Sequence, residues 1–191
     1  DEIARVRHDE LREPLLDMIC TASRCLMQLG YLDTARKTLA QSFPVVGESP
    51  GELQRFRKYV RSTLHLTAEV FYHLGDFDVC ISAADQALDC NRHYKGLYRF
   101  QALAYFRKGE KDLAVEAMGT ALLYETPWEK PALPGLRALY NGFCRARHGT
   151  ASLDELHKLA GVTPIVAIEG EVKAQSNATQ SENEQETSAS S

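Results

Sequence analysis

The sequence predicts an all-α chain, a right-handed stack of antiparallel helix pairs, and three observations carry that reading. Gly75 and Gly109 lie 34 residues apart, as do Ala68 and Ala102, Phe71 and Tyr105, Cys80 and Ala114, and Ala87 and Ala121. A period of that length with small residues at fixed offsets marks a helix pair stacked on a copy of itself. Between the punctuating residues, apolar positions recur at helical spacing, as in Leu15, Ile19, Ala22, Leu26 and Leu29. Glycines and prolines fall where helices must end or begin.

The elements follow in order. Residues 1–13 are charged, with Ile3, Val6 and Leu11 at rough helical spacing, and read as the end of an upstream region or a linker. Pro14 suits the first turn of a new helix, where its missing N–H costs nothing. That helix runs to Leu29 and ends at Gly30. A shorter one spans Leu32 to Phe43 and stops at Pro44. Ser49-Pro50-Gly51-Glu52 reads as a capping box opening a long helix to Leu74, with Leu53, Phe56, Tyr59 and Val60 in its first turns. Phe77 to Cys90 returns, and Tyr94 to Lys108 and Asp112 to Tyr124 repeat the pair. Pro127, Pro131 and Pro134 interrupt, and a capping helix runs from Leu136 to Arg147. An array with open ends needs such a cap to cover its last apolar face. Ser152-Leu153-Asp154-Glu155 is a second capping box, opening a short helix to Ala160. The expected division is therefore 14–148 for the helical array with its cap, 149–168 for a short helix and an extended segment, and 169–191 for a disordered acidic tail too poor in large apolar residues to offset its ordering entropy.

The formal net charge of the 191 residues is -4. From Ile168 onward Glu169, Glu171, Glu182, Glu184 and Glu186 face only Lys173, so the tail carries the whole imbalance and the body is neutral. A neutral body gives no bulk electrostatic reason to expect nucleic acid or a membrane surface as partner. No apolar run approaches the ~20 residues that span a bilayer. Cys20, Cys25, Cys80, Cys90 and Cys144 mostly fall in apolar helical patterns without a zinc-like CxxC pair, which reads as small buried hydrophobes in a reducing, cytoplasmic setting.

The phasing resembles the tetratricopeptide repeat family. The second repeat begins at Arg61 and the third at Lys95, with small residues at the helix crossings (Ala68, Ala102) and at the two small places of the second helix (Cys80 and Ala87, Ala114 and Ala121). Placing Gly30 where Gly75 stands sets Ser23, Leu26, Ala35, Leu39 and Ser42 on the same pattern. The 11 extra residues that follow resemble the insertion in the repeat domains of FKBP-type immunophilins and related co-chaperones. Three residues depart from the family pattern: Lys111 stands where an aromatic is usual, Arg92 replaces a proline, and Gln101 takes an apolar place, so the third repeat is expected to pack more loosely.

The resemblance implies a concave groove lined by the first helix of each pair, and within it Arg24, Met27, His65, Glu69, Tyr72, His73, Arg99, Leu103, Phe106 and Arg107 as partner-binding residues. Arg guanidiniums and aromatic faces suit an extended peptide with some acidic character. The five-residue clamp by which related co-chaperones hold a heat-shock chaperone's C-terminal carboxylate is absent. Its places hold Cys20, Arg24, Leu66, Gly96 and Phe100.

Chemistry is sparse. His65 and His73 lie eight apart on one helix, about 12 Å along the axis, too far for one metal ion. Cys20 with His65 is a conceivable nucleophile pair, but core or groove packing explains both. Glu69 is the single carboxylate of interest, and an ion pair with Arg24 or Arg99 is its expected role. The sequence thus predicts a non-catalytic module without cofactor, adaptor or co-chaperone-like, that binds a protein or peptide. The alternatives are the C-terminal module of a multidomain enzyme such as a peptidyl-prolyl isomerase, and a structural subunit of a large protein or ribonucleoprotein assembly.

Overall fold

A computed structural model describes residues 2–42, 57–124 and 133–168, and among these every regular element is a helix. They are α1 (Glu2–Gln28), α2 (Leu32–Ala40), α3 (Arg57–Leu74), α4 (Phe77–Cys90), α5 (Lys95–Lys108), α6 (Lys111–Leu123), α7 (Leu133–Arg147) and α8 (Leu153–Ala160). The expected capping box at Ser49, the residues Leu53 and Phe56, and the acidic tail lie outside the described residues.

Helix hands to helix through one turn used four times, once within each of the three pairs and again at Gly149 between α7 and α8. Gly30, Gly75 and Gly109 take φ of 87°, 84° and 87°, a left-handed backbone that glycine enters without a Cβ penalty. At each, the glycine N–H bonds the carbonyl three residues back, and the following N–H reaches five back, as in Tyr31 to Leu26, Asp76 to Phe71 and Glu110 to Tyr105. These are the paired bonds that satisfy the last carbonyls of a helix and reverse the chain.

The reversal places α1 on α2, α3 on α4, and α5 on α6. The successive pairs then stack, with α2 on α3, α4 on α5, and α6 on α7. The alternate helices α1, α3 and α5 also pack on one another, and so form one continuous inner face. Contact this close needs small side chains at the crossings. Ala68, Cys80, Ala87, Ala102, Ala114 and Ala121 are all wholly buried, as are Ser23, Ala35 and Ser42 in the first pair. Around them lies a core of Leu97, Phe100, Leu103, Met118, Leu139, Phe143 and Leu156. A second, smaller core under α1–α3 holds Met27, Leu32, Leu39, Leu66 and Val70.

The structure corrects the reading of Pro14. It does not open a helix; it lies inside α1, which runs unbroken from Glu2. Proline inside a helix removes one i→i−4 bond, but packing on α3 holds the helix across that point. Leu16 is wholly buried against Tyr59, and the Tyr59 hydroxyl donates to Glu13 Oε2 at 3.3 Å.

Gln101, expected to loosen the third pair, is buried and donates through Nε2 to Asp85 Oδ1 at 2.6 Å. It lines a cavity of about 370 Å³ between α4, α5 and α6, open on the side away from the inner face. Lys111 lays its ammonium 5.8 Å from the centroid of Phe106.

The second capping box is formed as a cap. Ser152 Oγ accepts from the Glu155 N–H at 3.2 Å and starts α8, which Gly161 ends with φ of 63°. The Glu155 carboxylate turns to Arg145 on α7. Ser152→Ala is expected to cost about 1 kcal/mol, read as a lower urea midpoint at unchanged slope. An unchanged midpoint would mean that docking on α7 alone sets the start of α8.

Candidate functional site

The inner face of α1, α3 and α5 collects the sequence-predicted residues, because helical phase sets them on one side of their helices. It is not an open groove. After α7 the chain folds back: α8 packs on α7 and α5, and residues 162–168 continue in extended form across α3 to the end of α1. The sequence places a short helix and an extended segment here but gives no destination for them.

The contacts of this return are specific. The Tyr72 hydroxyl bonds His157 Nε2, and the two rings meet edge to face at 5.9 Å. Arg99 Nη1 donates to the Ala160 carbonyl at 3.0 Å, which also satisfies one of the last carbonyls of α8. Ile165 and Ala167 pack on the smaller core beside Leu26 and Leu74. Ile168 N–H donates to the Gly30 carbonyl at 3.2 Å. A Cβ at Gly30 would come within 2.9 Å of the Val166 carbonyl oxygen, so Gly30 serves both the turn and the close passage of the segment.

The expected site residues therefore divide. Met27, Tyr72 and Leu103 are buried in the body and offer little surface. Arg24 and Arg107 are exposed, and Arg107 places its guanidinium 5.1 Å from the Phe77 ring centroid. Phe106 is half-buried, edge-on to Phe143. Arg99 is spent on Ala160 and on the face of Phe100 at 5.1 Å.

His65, Glu69 and His73 form a half-buried polar band along α3. The Tyr94 hydroxyl lies 2.6 Å from His65 Nδ1. Burial, aided by the positive charges of Arg99 and Arg24, holds the His65 pKa down to about 4, so the ring is neutral near pH 7. His73 is likewise held to about 4 by burial and then by His157. Burial pushes the Glu69 carboxyl up, against the pull of the same two arginines. The expected ion pair does not form. Among the described residues Glu69 has no cation within salt-bridge distance, because Arg99 is committed to α8 and Arg24 stays in solvent. His65 Nε2, Arg99 Nε and His157 Nδ1 are buried without a hydrogen-bond partner.

Cys20 does not pair with His65. Its Sγ lies 3.8 Å from Thr63 Oγ1, and burial raises its pKa, opposite to what a nucleophilic thiol needs. The five cysteines are free thiols. Among the described residues no three His, Cys, Asp or Glu side chains are grouped to hold a metal ion, and no helix is long and apolar enough to cross a membrane. Leu66 and Phe100 are core residues at 2% and 0% exposure.

No family model, curated protein or solved structure matches the chain.

The sequence did contain a signal for the returning segment. Val162-Thr163-Pro164-Ile165-Val166-Ala167-Ile168 is an apolar run directly after a capped helix, and Ile165 and Ala167 alternate with exposed neighbours as in a half-buried strand.

Proposed function

We propose that the chain is a non-catalytic protein-interaction module of the tetratricopeptide-repeat type, a right-handed superhelix of three helix pairs that holds a segment of partner protein on its inner face. It takes no cofactor and works as an adaptor in a reducing compartment. The observation that carries this reading is that the inner face of α1, α3 and α5 already accommodates an extended polypeptide, residues 162–168 of the chain itself. One turn design within each of the three pairs and nine small residues at the crossings support the repeat assignment. The exposed guanidiniums of Arg24 and Arg107 at the rim favour a partner with acidic character.

The test is affinity purification with mass spectrometry on wild type and Arg24→Glu. Arg24 is suited because it is exposed and supports no other element. One or more partners should be lost on charge reversal while the circular dichroism spectrum and melting curve stay unchanged. Full retention of every partner would remove the inner face from the binding site.

A second reading, a subunit buried in a larger assembly, draws on Leu11, Leu15 and Met18. They line one side of α1 at 69%, 42% and 66% exposure. Tyr59, the expected contact for that role, is instead used within the chain against Leu16.

A further inference from the structure

We propose that residues 162–168 are a displaceable occupant, and that the surface beneath them docks an extended apolar partner segment of the same pattern, with branched or small side chains at alternate positions. The proposal rests on the interaction reading above and names the chemistry of the ligand.

The segment is held far more lightly than the helix before it. α8 buries Leu156, His157 and Ala160, and its side chains press against Gly142 on α7. Beyond Val162 the anchors are Ile165, Ala167, the Ile168 side chain against Gly30, and one backbone bond to the body, from Ile168 N–H to the Gly30 carbonyl. Val166 is 86% exposed and Ile168 41% exposed. Gly161, in the left-handed conformation, supplies a pivot between the firmly docked helix and the light segment.

What lies underneath is built for apolar chain. Ile165 and Ala167 lie beside the partly buried Leu26 on α1 and Leu74 on α3, at the edge of the core that Met27, Leu66 and Val70 fill. Lifting the segment exposes Leu26, Leu74 and the core edge between them to water, an apolar surface that needs cover. A second chain that adds an alternating apolar strand there reproduces the contact already present.

Because the resident shares the chain, it lowers the apparent affinity for any outside segment by the fraction of molecules in which the face is open. The experiment uses the full chain and a labelled peptide, Val162–Ile168, followed by fluorescence anisotropy. The full chain carrying Ile165→Asp and Ala167→Asp is expected to bind the peptide at least about ten-fold more tightly than wild type does. A peptide with aspartate in place of Ile165 should bind neither. Ile168→Pro, which removes the one anchoring N–H at a surface position, should shift affinity in the same direction by a smaller factor, and it decides the matter if the double variant fails to fold. Equal binding by wild type and variants, or no binding by either, overturns the proposal. That result together with partner loss on Arg24→Glu would leave the interaction module standing without this docking site.

Discussion

Phe100→Ala is expected to lower the stability of the chain by about 3–5 kcal/mol. Phe100 is wholly buried at the centre of the inner face. Its ring lies 5.9 Å from both His65 and Tyr72, and Arg99 stacks 5.1 Å from its centroid. Its carbonyl accepts from Cys80 Sγ at 3.9 Å on α4. Truncation therefore opens a cavity where α3, α4 and α5 meet, and the rigid rings around it cannot close in. A total stability of about 5–15 kcal/mol makes this a large fraction. The melting temperature should fall on the order of 10 °C. Leu123→Ala is the control, because Leu123 is 84% exposed and its loss should stay within about 0.5 kcal/mol. A melting temperature for Phe100→Ala within 2–3 °C of wild type (roughly 1 kcal/mol) would show that the three pairs do not share one cooperative core.

Acid should destabilise the fold over a window set by its buried histidines. His65 and His73 fall from 6.5 to about 4 in the folded chain. His157 is lowered as well, by burial first and then by Arg107, with Asp154 opposing. For a histidine held neutral by burial, the unfolded chain binds the proton first. Stability is therefore complete above about pH 6.5, falls as pH drops through that value, and stops falling near pH 4, where the folded rings also protonate. Glu69 acts in the opposite sense: its raised pKa lets the folded state take a proton earlier and offsets part of the loss. At about 1.4 kcal/mol per pKa unit, and discounting for the partial exposure of the rings, His65 and His73 together account for roughly 4 kcal/mol. Urea midpoints at pH 7.5, 5.5 and 4.5 measure it. A flat series would mean that both rings reach water in the folded state.

The helices were legible because each carries its own punctuation. The same left-handed turn recurs at Gly30, Gly75 and Gly109, and the 34-residue spacing of Ala68 with Ala102 and Ala87 with Ala121 marks where the helices cross. Pro14 misleads for a physical reason: its local preference for a first turn is real, but packing between Leu16 and Tyr59 outweighs one lost backbone bond. The residues of the inner face were legible in phase and not in state. Periodicity says which side of α3 carries His65, Glu69 and Tyr72, yet it is silent on contacts between residues far apart in the chain. The cover supplied by His157, Ile165 and Ala167 depends on such contacts, as does the bond that holds Arg99 at the Ala160 carbonyl.

The measurement that bears most directly on the central claim is site-specific photo-crosslinking in cells. A photoreactive amino acid is placed at Arg24 or Arg107 on the inner face, or at the exposed Gln86 on α4 outside it. The interaction reading predicts discrete protein adducts from the two inner positions and none from position 86. Adducts from position 86 alone would place the partner on the outer surface and contradict it.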